Sequence, residues 1–149
     1  MSNRRRGFAQ ERDLAKKLWD KGFAVMRAPA SGSKAKRLLY PDLVAIKNGV
    51  VFAFEVKTTR SRKRDIYIPR QQVDKLVEFS RRSGGMPFIA VKIVGEGDWF
   101  FIPLRDLQET GSGGYKVPLS RLETHSFLKM DNLLTLALGV RPLREYFEK

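Results

Sequence analysis

The spacing of apolar and polar positions along the chain predicts an alternating series of helices and strands. Apolar residues at positions 14, 15 and 18 recur at helical intervals, which predicts an amphipathic helix over about residues 8–21, ending at Gly22. A second helix is predicted over about residues 70–83, with Gly84 at its end and with residues 73, 76, 77 and 80 on one face. Short apolar runs predict strands at residues 23–27, 66–68, 87–94 and 99–102. This order indicates an α/β protein.

The dipeptide Asn48-Gly49 lies between two apolar runs, residues 40–47 and 50–57. It predicts a tight β-hairpin, because both turn residues tolerate positive φ. A two-residue turn pairs position 47 with 50 and position 43 with 54, so Asp42 falls opposite Glu55. Residues that alternate along a strand, or that face each other across a hairpin, share one face of the sheet. The hairpin therefore brings two carboxylates and the ammonium group of Lys57 onto one patch.

Two interpretations of this patch are open. Glu55 and Lys57 would be ordinary solvated residues if the hairpin were exposed. The strand is apolar on both faces, however, because Phe52 and Phe54 alternate with Val51 and Ala53, and this pattern is typical of a buried central strand. Opposed like charges destabilise a sheet, and buried charges need partners. A hard divalent metal held by oxygen ligands supplies the missing positive charge, so a metal site is the favoured interpretation.

A third carboxylate, Glu11, lies on the apolar stripe of the first predicted helix, in line with Leu14 and Leu18. The simpler explanation is that Glu11 sits in the first helical turn and complements the helix dipole. A buried carboxylate is costly unless it is paired. Beside a metal site, Glu11 is therefore a candidate ligand or water-bridged partner.

Length and composition frame these predictions. We expect a single domain over residues 1–149, with its core at about 4–105 and a less certain C-terminal segment at 106–149. The chain has no cysteine, which excludes disulfides and thiolate metal sites. Its apolar runs are too short to span a membrane, and its basic N-terminus lacks the apolar region of a secretion signal. We expect a cytoplasmic protein without membrane contact.

The positive charge is concentrated in the first half of the chain. The formal net charge is +13; residues 1–75 hold 19 basic and 7 acidic side chains, whereas residues 76–149 hold 10 and 9. Such asymmetry predicts a basic face that binds a polyanion. A ribosomal-type protein or a membrane-surface protein would account for the charge equally well, but neither would account for the carboxylate pair.

The motifs occur in an order that resembles the PD-(D/E)xK nuclease superfamily and, within it, the archaeal-type Holliday junction resolvases. They are a basic-Gly segment with Glu11-Arg12, the loop at 27–33, Pro41-Asp42, Glu55-Val56-Lys57 and residues 67–72. The resemblance spans roughly residues 4–102. It implies a single nuclease domain with a restriction-endonuclease-like α/β fold, in which a mixed central β-sheet is flanked by helices. It also implies a homodimer that binds four-way DNA junctions and cuts two opposed strands with Mg²⁺, for which Mn²⁺ would substitute. We then expect the protein to associate with the nucleoid through this DNA.

The same resemblance assigns roles to individual residues. Its catalytic positions are Glu11, Ser31, Asp42, Glu55 and Lys57. Ser33 is a rival for the role of Ser31, because the Ser-Gly-Ser spacing leaves either serine available. The expected metal ligands are Glu11, Asp42, Glu55 and the carbonyl of Val56. The residues expected to contact DNA are Arg4, Arg5, Arg6, Arg27, Ser33, Lys34, Lys36, Arg37, Arg60, Arg62, Lys63, Arg64 and Gln72.

Two rival functions remain at this stage. Another PD-(D/E)xK nuclease, of the restriction or repair type, would share the site and differ in substrate. A non-catalytic nucleic-acid-binding protein would be favoured if Asp42, Glu55 or Lys57 were replaced, and all three are intact. For the dimer interface, the apolar strand at 99–102 is the favoured prediction and the apolar run at 133–138 is its competitor. The sequence leaves cleavage-site preference and protein partners open.

Overall fold

A five-stranded mixed sheet forms the centre of the fold. In the computed structural model, residues 3–29, 40–121 and 127–139 are described. The helices are α1 (Asn3–Asp20), α2 (Arg70–Ser83) and α3 (Met130–Ala137). The strands are β1 (Ala24–Arg27), β2 (Leu43–Lys47), β3 (Val50–Thr59), β4 (Ile66–Ile68), β5 (Met86–Ile93), β6 (Trp99–Pro103), β7 (Gln108–Glu109) and β8 (Tyr115–Val117).

Strand β3 lies at the middle of the main sheet, whose strand order is β1-β2-β3-β5-β6. The β3–β5 pair is parallel and the other three pairs are antiparallel. On one face Phe52 and Phe54 pack with α1 and α3, and on the other face Ala53 packs with α2. The prediction that β3 is a central strand, apolar on both faces, is confirmed. The smaller sheet has the order β4-β8-β7.

The predicted hairpin is confirmed in its turn and its register. Asn48 and Gly49 both have positive φ, at 53° and 77°, as the tight turn requires. Position 47 pairs with 50 and position 43 with 54. Register follows from turn geometry, which explains why counting outward from the dipeptide gives the correct pairs.

Helix boundaries and one helical face differ from the sequence predictions. Helix α1 begins at Asn3, five residues earlier than predicted, whereas α2 ends as predicted at Gly84, which adopts the left-handed conformation at φ 72°. Val77 was predicted to face the core with Val73 and Leu76, but its side chain is 47% exposed. Phe79, and not Val77, packs against the core cluster that contains Val73 and Leu76.

The favoured dimer surface is not free in this structure. All four residues at 99–102 are buried within the single chain, and Phe101 forms an isolated bridge with Leu128. In the competing run, Leu133 is buried in the core as part of α3, whereas Leu138 is 68% exposed. The preference for the 99–102 strand is therefore wrong, because core burial explains its apolar character. Within the described residues, no helix is both long and apolar enough to cross a membrane.

Candidate active site

Asp42 is fixed where β2 stops pairing with β3. The β2–β3 ladder ends at the Leu43–Phe54 pair, and Pro41, with no N–H, precedes a bend at Asp42. The backbone N–H of Val56, two residues further along β3, donates to Oδ2 of Asp42 at 2.8 Å. The Asp42 carboxylate thus accepts the hydrogen bond from Val56 that a backbone carbonyl of a neighbouring strand would otherwise accept. The predicted proximity of Asp42 and Glu55 is correct, although the two residues are not a ladder pair.

Glu55 is a buried carboxyl group, 2% exposed, on the β3 face that packs against α2. Burial, the negative charge of Asp42 and a hydrogen bond between the two carboxyl groups raise the pKa of Glu55 to about 8; the nearby Lys75 and Lys57 act in the opposite direction. A carboxyl pair that shares a proton in this way holds less negative charge than two free carboxylates. The Asp42–Glu55 pair therefore perturbs the electrostatics at the end of the β2–β3 hairpin that lies away from its turn.

Lys75 belongs to the site and was not predicted from the sequence. Its Nζ lies 3.4 Å from each carboxylate oxygen of Glu55. Lys75 lies outside the buried stripe of α2, so its helical position gave no indication of a role. The contact arises because α2 packs across β3, and a long lysine side chain can run along the apolar surface to a buried partner.

Glu11 faces the same region from α1. Its pKa is raised, chiefly by burial and then by the charge of Asp42, while Arg27 opposes the shift. The Arg27 guanidinium lies 3.7 Å from Glu11 Oε1 and 3.5 Å from the Phe8 carbonyl. Asp42 is thus electrostatically coupled both to Glu55 and to Glu11.

The Asp42–Glu55 pair suits a divalent cation. Their mutual repulsion raises the pKa of Glu55, and a cation held by both oxygens would relieve it. Within the described ranges, no group of three or more Asp, Glu, His or Cys side chains is close enough to hold a metal alone. Magnesium keeps several waters and needs only one or two protein carboxylates, so the pair suffices. Glu11 and the Val56 carbonyl remain predicted ligands.

Six of the residues predicted to contact DNA are described with their side chains, and one of them is Arg27, whose guanidinium pairs with Glu11. Arg60, Lys63 and Arg64 are exposed on the loop between β3 and β4, as expected for phosphate contacts. Arg62, on the same loop, pairs with Glu96, its Nε 3.1 Å from Oε2. Gln72 is half-buried on the first turn of α2, and its Oε1 makes no hydrogen bond with any described residue.

The remaining predicted residues are outside the described structure. They are Ser31, Ser33, Lys34, Lys36 and Arg37. Arg4, Arg5 and Arg6 lie on the first turns of α1, but their side chains are not among those described.

The raised pKa of Glu55 predicts how the stability of the metal-free protein depends on pH. Folding favours protonated Glu55, so this stabilising contribution is complete below the unfolded-state pKa near 4.5 and is lost as pH rises through about 8. We expect Glu55→Gln to flatten the fall in melting temperature between about pH 5 and about pH 9 in EDTA, by several degrees. Glu109→Gln, on an exposed carboxylate of β7, is the control. Equal pH profiles for wild type and Glu55→Gln would contradict the raised pKa.

Comparison with known proteins finds one matching family and several similar proteins. The family described as "Archaeal holliday junction resolvase (hjc)" matches residues 2–137. The crossover junction endodeoxyribonuclease Hjc of Sulfurisphaera tokodaii is 43% identical over 122 residues, 82% of each chain. The protein of the same name from Sulfolobus acidocaldarius is 40% identical over 139 residues, 93% of each chain.

The structural comparison agrees with the sequence comparison. The chain is similar to the solved structure of Archaeoglobus fulgidus Hjc, described as a Holliday junction resolvase from an archaeal hyperthermophile. The TM-score is 0.73 and the identity 28%, over 87% of this chain and 98% of that one. Together with the five-stranded mixed sheet and its flanking helices, this confirms the predicted restriction-endonuclease-like α/β fold.

Proposed function

The chain belongs to the archaeal Holliday junction resolvase family, and from this premise we propose that it cuts four-way DNA junctions at the site formed by Asp42, Glu55 and Lys57. It is a crossover junction endodeoxyribonuclease of a divalent-metal-dependent nuclease family. The observation that carries the assignment of the site is the Glu55 carboxyl group, whose pKa is raised to about 8 by burial and by the negative charge of Asp42. Strongly perturbed carboxyl pairs of this kind mark functional sites.

Asp42 and Glu55 would hold the metal, with Glu11 and the Val56 carbonyl as further ligands. We propose Mg²⁺, because the available donors are carboxylate and carbonyl oxygens, with Mn²⁺ as a substitute. When bound, the cation polarises the phosphate and lowers the pKa of a coordinated water.

Lysine and arginine side chains stabilise charge and orient water around the metal site. Lys57 projects from the same face of β3 as Glu55, two residues further along the strand. Its ammonium group is placed to stabilise the negative charge that develops on the pentavalent phosphorane or to orient the attacking water. Lys75 partly balances the charge of Glu55 from α2, and Arg27 does the same for Glu11.

A direct test compares substrates. The purified protein should cleave a four-way junction in Mg²⁺ at two opposed strands, and it should leave a linear duplex of the same arm sequences uncut. Equal cleavage of both substrates would favour another PD-(D/E)xK nuclease, and binding without cleavage would favour a non-catalytic DNA-binding protein.

The loop after β3 is a preorganised basic surface. Thr59 Oγ1 accepts from the Ser61 N–H at 3.3 Å, and Ser61 Oγ accepts from the Lys63 N–H at 3.1 Å. The Arg62–Glu96 pair ties the loop to the turn between β5 and β6. Arg60 and Arg64 are thereby presented to solvent on a loop held by its own hydrogen bonds, and we propose that they contact phosphates.

Neutralising this loop should weaken the dependence of binding on salt. We expect the triple variant Arg60→Gln, Lys63→Gln, Arg64→Gln to reduce the slope of log affinity against log salt by up to ~0.9 per lost phosphate contact. Arg81→Gln with Arg82→Gln, which removes two exposed cations paired with Glu78 on α2, is the control. Fluorescence anisotropy over a salt series measures both slopes; a slope unchanged in the triple variant would show that the loop does not contact DNA.

We also propose a homodimer, because paired cuts in opposed strands require two active sites related by a two-fold axis. The proposed interface is the face of β1 and β2 that carries Met26 and Ile46, which are 70% and 37% exposed. The register places Met26 opposite Val44 and Ile46 opposite Val51, so these residues share the β3 face of Glu55. A two-fold contact through this face brings the two sites to the same side of the dimer.

A further inference from the structure

The smaller sheet presents an open face on which Tyr67 stands opposite a lysine. In the register Tyr67 pairs with Lys116, and Lys116 pairs with Gln108, so these three side chains share one face. The opposite face of the sheet is apolar and packs inward, with Ile68 and Val117 buried in the core that also holds α2. One face of the small sheet is therefore packed into the core, whereas the face that carries Tyr67 and Lys116 points away from it.

Tyr67 is 66% exposed. Within the described part of the chain its side chain makes no hydrogen bond, ion pair or ring contact. One exposed apolar side chain is ordinary on a protein surface, and alone it would carry no argument. Tyr67 differs because of the charged groups placed around it.

Cations flank Tyr67 along the chain and across the sheet. The exposed loop residues Arg60, Lys63 and Arg64 lead directly into β4. Lys116 faces Tyr67 from β8, held 3.6 Å from Asp65. An aromatic surface within a basic rim is the arrangement by which proteins bind nucleic acid where bases are accessible: cations hold the phosphates and the ring stacks on a base.

Strand β4, which carries Tyr67, is joined to the candidate active site through α2. Strand β4 leads through Pro69 into α2, and Lys75, the α2 residue that contacts Glu55, lies five residues after Arg70. Five residues of helix span about 8 Å, and the major groove of DNA alone is about 12 Å wide. A DNA duplex bound at Asp42 and Glu55 is therefore large enough to reach β4.

We propose that Tyr67 stacks on a base exposed at the branch point of the junction, and that it thereby helps to distinguish a four-way junction from continuous duplex. This proposal rests on the resolvase function stated above. In a duplex every base is covered by its neighbours, and uncovering one costs a few kcal/mol. At a branch point the continuous stack is interrupted, so an aromatic side chain gains a base face without that cost.

The test is a binding cycle measured by fluorescence anisotropy in EDTA, where the metal-dependent cleavage is absent. Tyr67→Ala should raise the Kd for a four-way junction by about 5- to 100-fold, the usual effect of losing one stacked base. The Kd for a duplex of the same length should change less than about twofold. Tyr67→Phe should bind like wild type. Trp19→Ala, which removes an equally exposed aromatic (65%) from α1, should change neither Kd, and thermal melting should show all variants folded.

Junctions with one abasic nucleotide beside the branch point complete the cycle. At one such position the abasic site should weaken binding of the wild type and leave binding of Tyr67→Ala unchanged, because the stack is already lost. Three outcomes would each refute the role of Tyr67. The effects of Tyr67→Ala and of the abasic nucleotide on binding free energy could add at every position, the Kd of Tyr67→Ala for the junction could equal that of the wild type, or Tyr67→Ala could lose the same affinity for junction and duplex. A wild type that binds duplex as tightly as junction would overturn the resolvase function itself, and this proposal with it.

Discussion

Asp42→Asn and Glu55→Gln should each reduce cleavage of a four-way junction by at least about 100-fold while junction binding stays within a few-fold of wild type. A metal held by two carboxylates loses most of its binding energy when either becomes an amide, and each 1.36 kcal/mol lost from the transition state costs about tenfold in rate. Affinity depends mainly on phosphate contacts elsewhere. Removing negative charge beside the DNA backbone should, if anything, tighten binding. Lys57→Ala should likewise reduce the rate far more than the affinity.

Single-turnover cleavage and anisotropy on the same junction measure both quantities. Asp20→Asn, which changes an exposed carboxylate at the end of α1, should leave rate and affinity unchanged. The metal site also has a readout apart from activity: Mg²⁺ should raise the melting temperature of the wild type at high pH and should raise that of Glu55→Gln less. Retention of more than about a tenth of the wild-type rate in either carboxylate variant would be too small a loss for a metal ligand.

Ile46→Glu should convert a dimer into a folded monomer that nicks junctions without making paired cuts. Ile46 is 37% exposed on β2, beside the tight turn and on the face proposed for the interface. A two-fold contact places each substituted residue near its copy or its neighbours, so one substitution introduces two buried, unpaired carboxylates. Because Ile46 is exposed in the single chain, the fold should survive the change.

Sedimentation velocity at about micromolar protein reports the mass directly. The wild type should sediment near twice 17.1 kDa and Ile46→Glu near 17.1 kDa. Trp19→Glu, on α1 and so on the opposite side of the main sheet, should remain a dimer. A supercoiled plasmid with an extruded four-way junction distinguishes the two kinds of cleavage. A single nick gives an open circle, whereas paired cuts give a linear molecule. A wild-type monomer that makes paired cuts would refute both the dimer and this interface.

The hairpin that carries the candidate active site could be predicted from the sequence because its determinants are local. Asn48-Gly49 fixes the turn, the turn fixes the register, and strand alternation then places Asp42 near Glu55 without reference to the rest of the fold. The end of α2 at Gly84 is local for the same reason, since a left-handed residue there ends the helix. Even the burial of β3 could be predicted from the pattern of apolar residues on both of its faces.

Contacts made across the layers of the fold could not be predicted in this way. Lys75 reaches Glu55, and Arg62 reaches Glu96, because a crossover through β4 and α2 and the turn after β5 bring distant segments together. The hydropathy of residues 99–102 predicts a buried surface, but only the packed structure shows that this chain itself covers them. The same packing leaves Met26 and Ile46 uncovered on the outer strands. Local sequence thus determined the proximity of Asp42 and Glu55 and the register of their hairpin. The tertiary structure decided which side chains pair with these carboxyl groups and which apolar surfaces stay exposed, because these features depend on contacts between residues far apart in the chain.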